Sequence, residues 1–119
     1  MATLVQLGET GQAIAYASGT LPANTGVCFN TSGLLRPTGV GDKPDGIIHD
    51  AFAASADVTY YKTRGNVHYV LTSGAPSVGD ILACGAAGVF VTDAVLSANS
   101  CGKLISAADS DNKALAVLW

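Results

Sequence analysis
The 119 residues (11.9 kDa) have the length of one domain, able to bury roughly two-thirds of its unfolded surface. Nine acidic against six basic residues give a net charge of -3 and a pI near 4.9, which leaves no electrostatic footprint for nucleic acid. With 49% hydrophobic and only 13% charged residues, the composition is the reverse of a disordered chain.

The scarcity of charge also speaks about the surface. A folded monomer of this mass exposes about 6,000 Å². Nine acidic and six basic groups then leave about one charge per 400 Å², near the advised upper limit for an uncharged apolar patch. Such a surface suits burial against other proteins.

The chain opens on MATLVQLGET, in which residues 3–7 read as a strand. The segment has no basic n-region and no signal-peptide core, and no stretch approaches 18 apolar residues. The expectation is therefore neither export nor a membrane span. Strands follow at 12–17, 26–30, 33–36 and 46–50, separated by Gly8-Glu9-Thr10-Gly11, Pro22-Ala23-Asn24, Thr31-Ser32-Gly33 and Asp42-Lys43-Pro44-Asp45. Asn30-Thr31-Ser32 matches a glycosylation sequon and is read as a turn.

In the next stretch, Val58 and Tyr60 alternate with Thr59 and Tyr61 within 57–63, and Val67, Tyr69 and Leu71 share one face of 66–72. The Arg64-Gly65 step between them predicts a hairpin. Further strands are expected at 79–83, 88–92, 102–106 and 113–118. Glycine costs about 1 kcal/mol in a helix interior, so its frequency leaves only the Ala-rich 51–56 and 93–98 for a helical turn. The class is all-β: a small β-barrel or β-tulip-like single domain over 1–119, with many short strands.

An internal repeat organises these strands. Ser18-Gly19 returns as Ser73-Gly74, and SGLLRPT (32–38) as AGVFVT (87–92). GIIHDAFAASADVTYYKT (46–63) aligns without gaps to GKLISAADSDNKALAVLW (102–119). This predicts two similar β half-units packed around one core.

No catalytic constellation emerges. His49 adjoins Asp50, but strand neighbours point to opposite faces, so adjacency makes no base–orienter pair. His68 falls on the more polar face of its strand and reads as a hydrogen-bonded surface residue. Cys28, Cys84 and Cys101 are odd in number without CxxC spacing, which favours free thiols in a reducing cytoplasm over disulfides or zinc. Asp42, Asp45, Asp109 and Asp111 look like turn formers. Gly39-Val40-Gly41 runs into Pro44 where a dinucleotide fingerprint needs its third glycine. No cofactor, metal or enzymatic activity is expected.

Four stretches carry a resemblance: MATLVQLGETGQAIAY, LPANTGVCFNTSGLLRPTG (21–39), PDGIIHDAFAASADVTYYKTRGNVHYVLTSGAPSVGDILACGAAGVFVT (44–92) and CGKLISAADSDNKALAVLW (101–119). Over nearly its whole length the chain resembles the capsid cement, or head decoration, proteins of tailed bacteriophages. The likeness rests on the spacing of Gly-Asp, Gly-Ile and Ala-Ala links, and Tyr60-Tyr61-Lys62 stands where that family has a short aliphatic strand. The resemblance implies a virion structural protein, made in the host cytoplasm. It would sit on the outer capsid surface as a homotrimer, bridging major capsid protein subunits and stabilising the expanded shell.

It also implies an N-terminal arm within residues 1–10. Ala2, Thr3, Leu4, Val5 and Gln6 would add a strand to a capsid edge, or else form the first strand of the barrel. Tyr60, Tyr61, Tyr69 and Trp119 are candidate interface aromatics, Trp119 being either a barrel plug or an anchor. The alternative function is a carbohydrate-binding or adhesive module of a virion, with the same aromatics stacking on sugars.

Overall fold
A computed structural model describes residues 9–63, 65–93 and 96–119. Ten strands lie in it: β1 (Thr10–Ile14), β2 (Thr25–Phe29), β3 (Leu35–Pro37), β4 (Gly46–Ile48), β5 (Asp57–Tyr61), β6 (Val67–Leu71), β7 (Ile81–Cys84), β8 (Phe90–Thr92), β9 (Ser100–Leu104) and β10 (Lys113–Leu118). They form two antiparallel five-stranded sheets, ordered β1-β5-β4-β2-β3 and β6-β10-β9-β7-β8. Adding five to each strand number of the first sheet generates the second. The all-β class and the two similar halves are as expected.

The repeat extends to individual bonds. Leu35 bridges Ala15 in parallel, and Phe90 bridges Thr72 in the same way, so each sheet curls until its two edge strands meet. Val27 pairs with Gly46 as Leu82 pairs with Gly102. Asn30 N–H donates to Leu34 O and Gly85 N–H to Val89 O, at 2.8 and 2.7 Å, closing equivalent hairpins. Gly33 and Gly88 both take φ of +77° in those turns. One part of the sequence alignment shifts, however. Tyr16 N–H donates to Leu35 O and Ser73 N–H to Phe90 O, so Tyr16 is the counterpart of Ser73, and the following loop is two residues longer in the first unit.

The expected hairpin of 57–63 with 66–72 does not form. β5 and β6 belong to different sheets, and the chain crosses between units at that turn. Local alternation cannot tell a hairpin from a unit boundary, because the partner of each strand lies about 45 residues away. A 3-10 turn at Ala86–Gly88, outside both Ala-rich segments, is the one helical element among the described residues.

Each unit has its own core, where the sequence suggested one shared core. Ala15, Leu21, Val27, Leu35, Ile48 and Val58 fill the first, with Tyr16, Phe52 and Tyr60 packed at its margin. Val70, Leu82, Cys84, Phe90, Cys101, Leu104, Ala114, Ala116 and Leu118 fill the second, joined by Ile47 from the first unit. Close backbone approach locks the units together. Gly88 N–H donates to Thr38 O at 2.8 Å, and a Cβ at Gly88 would lie 2.7 Å from Gly26 O, so only glycine fits. Asn24 accepts the Leu71 N–H at 2.7 Å and donates its side-chain amide to Tyr69 O at 3.0 Å.

Candidate functional site
The buried polar groups show first what the interior does not offer. His68 is fully buried, contrary to the surface position expected, because the first unit covers it with His49, Tyr61 and Lys62. Its Nδ1 lies 3.2 Å from His49 Nε2 and its Nε2 lies 3.3 Å from Lys62 O, with the Tyr61 ring packed on His49 at 4.4 Å. Burial, against a raising hydrogen bond to the Lys62 carbonyl, brings the His68 pKa down to about 4; burial also lowers that of His49. The pair is a neutral joint between the units.

Cys28, Cys84 and Cys101 are free and buried. Cys101 is pushed up by its neighbour Cys84 and by burial, which makes it an inert core thiol. Asp42, Asp45 and Asp109 accept backbone N–H groups of Gly39, Phe29 and Lys113, as turn formers do. Among the described residues no three His, Cys, Asp or Glu side chains gather in a metal-holding group.

The surface is the remaining candidate, and it is poorly charged. Its area is 5972 Å², close to the expected value. Two ion pairs, Arg36–Asp42 at 3.0 Å and Lys62–Glu9 at 2.9 Å, are present among the described residues. Between the sparse charges stand exposed apolar side chains: Val40 (82%), Leu96 (69%), Val78, Ile105 and Ile14. Val40 and Leu96 hold the same place in the two units, in the loops before β4 and β9. A Cβ at Gly41 of one loop would stand 4.0 Å from the Asn99 amide nitrogen of the other. Sequence reasoning passed these two over, although the offset of 56 that relates 46–63 to 102–119 already pairs them.

The expected interface aromatics do not gather. Tyr60 lies on the core side of β5 across Gly11 and Gly46, edge-on to Phe29 at 5.7 Å. Tyr61 faces the other way, toward the histidine pair. Tyr69 is half-buried on the second sheet. Trp119 is 46% exposed, with its N–H held by Cys101 O at 3.1 Å, so it is no barrel plug. The arm residues Ala2 to Gln6 lie outside the described residues.

The second unit carries a groove of about 420 Å³, lined by Leu71, Thr72, Ser73, Ala86, Val89, Val91 and Asn112.

No family model and no curated protein matches the chain. Among solved structures it is similar to the N base of head fiber gp8.5 in bacteriophage phi29. The TM-score is 0.77 and the identity 16%, over 93% of this chain and 95% of that one. The two chains share their fold over that length.

Proposed function
We propose that this chain is a structural protein of a phage virion that binds the outer face of the head. In this reading it cements neighbouring major capsid subunits as a homotrimer and stabilises the expanded shell. The observation that carries the reading is the whole-length likeness to the base of a phage head fiber, covering both units and nearly all of each chain. The surface supports it: little charge, with exposed Val40, Leu96, Val78 and Trp119, is a composition suited to protein interfaces.

Mass action supplies the mechanism. A protein that binds only the assembled or expanded shell stabilises that state, and a trimer engaging several sites multiplies modest contacts through effective concentration. No step of this action needs a reacting group. Sugar stacking has less support, since Tyr60 and Tyr61 face opposite sides of one strand and offer no common platform.

The test mixes purified protein with expanded heads lacking it. The expected result is saturable binding, a trimer by scattering mass, and heads that withstand higher temperature or osmotic shock. A chain that stays monomeric and never cosediments with heads overturns the reading.

A further inference from the structure
The groove of the second unit is lined in part by Ser73, whose counterpart in the first unit is Tyr16. Ser73 is placed by its N–H bond to Phe90 O as Tyr16 is placed by its bond to Leu35 O. At that position the first unit carries a phenol, packed against its own core. The Tyr16 hydroxyl reaches the longer loop, 3.5 Å from where a Cβ of Gly19 would stand. The second unit has a hydroxymethyl group instead and a loop two residues shorter, and there the groove opens.

The walls have changed to match. Val89 and Val91 stand where the first unit has Leu34 and Arg36, so a cation has been replaced by an isopropyl group. Leu71, Ala86 and the two valines give an apolar lining; Thr72, Ser73 and Asn112 add neutral polar groups, and no lining residue is charged. The volume of about 420 Å³ falls in the range of preformed ligand sites.

We infer that this groove receives an uncharged aromatic side chain, a tyrosine, presented by a partner protein, at the position for which the first unit carries Tyr16 of its own. Under the proposed function that partner is the shell subunit beneath, so the identity of the partner rests on that reading, while recognition of the ring does not. Neutral walls suit a neutral ring, and a phenol hydroxyl finds Ser73 and Asn112 at the rim. Aromatic anchors in fitted pockets are what concentrate binding energy at protein interfaces.

The test uses p-cresol, the side chain of tyrosine, titrated into the full chain with the methyl groups of Leu71, Val89 and Val91 observed by NMR. A saturable shift confined to these methyls, with a dissociation constant of about 1 mM or weaker as expected of so small a ligand, supports the inference. Ser73→Tyr, which supplies the ring in cis, should abolish that shift. Ala86→Arg, at an exposed position on the rim, gives a second blockade should the first variant fold poorly.

Absence of a saturable shift in the wild type, or an unchanged shift in both variants, overturns the inference. Head binding separates the two readings. If wild-type protein binds heads and both variants bind equally well, the groove is not the docking site, though cementing stands. If p-cresol binds while no form binds heads, the groove stands and cementing fails. A self-associated form that Ser73→Tyr disperses would place a second copy's ring there and overturn the assignment to a foreign partner.

Discussion

Gly11 and Tyr60 form a cross-strand pair in the first unit, and His68 and Ala116 form the equivalent pair in the second. The large and small partners have changed strands. In the first unit the phenol crosses over a glycine whose Cβ would fall 2.3 Å from the Tyr60 ring. In the second, alanine leaves room for an imidazole that turns inward and meets His49 of its neighbour. The same backbone thus accepts either filling, provided the volume at the pair is kept.

Around that pair the units diverge in one direction. Tyr16, Phe52 and Tyr60 help close the first core; Ser73, Ala108 and Ala116 stand at their places in the second. The second unit makes up volume with Phe90 in place of Leu35 and by taking in Ile47. One unit is self-contained and the other completes itself from outside, against its neighbour and, by the inference above, against a partner.

The sharpest way to break this comparison is at the residue the second unit relies on. Phe90→Ala should lower the stability of the whole chain by about 3–5 kcal/mol. It should cost more than Leu35→Ala, because Phe90 also touches the first unit at Gly26, and urea unfolding of both variants checks this. A single unfolding transition lost in step at both units is the expected form.

The histidine joint comes next. The folded pKa of His68, about 4, lies below the ordinary value of 6.5, so the unfolded chain binds more protons between those values. Stability is then full above about pH 6.5 and falls as pH drops toward 4, by about 3 kcal/mol, with His49 adding in the same direction. Asp50 opposes the fall at His49. Denaturant midpoints from pH 7.5 to 4 measure the slope, which His68→Gln should flatten; an equal slope in that variant would remove the joint from the account.

Gly11→Ala should cost about 1–3 kcal/mol through overpacking against Tyr60. In a Tyr60→Ala background most of that loss should vanish, since the three nearest atoms all belong to that side chain. A double-mutant cycle by thermal unfolding reads the coupling. Last and least, Lys62→Ala should leave the midpoint almost unchanged at physiological salt. Its pair with Glu9 is exposed and screened, and β1 and β5 are already held by their full ladder.

Much of the fold was legible because a strand declares itself locally. Tyr60 and Val58 alternate with Thr59 and Tyr61, and turns are written in Asn, Asp and Gly, so all ten strands fall within a few residues of their expected places. His68 was misjudged because alternation gives two faces without saying which one a second sheet will cover. The groove was invisible for a related reason. Ser73 aligns with Ser18 by identity, and only the backbone bonds to Leu35 and Phe90 reveal Tyr16 as its counterpart.

Sequence by itself determined the all-β class, the doubling of the unit and a surface poor in charge. These follow from periodicity, repetition and composition, all of which are local or additive. Which strands pair, where the chain passes from one unit to the next, and where a groove opens were decided by tertiary structure alone. Hydrogen bonding and close packing join residues dozens of positions apart, and their outcome depends on the fit of both partners at once.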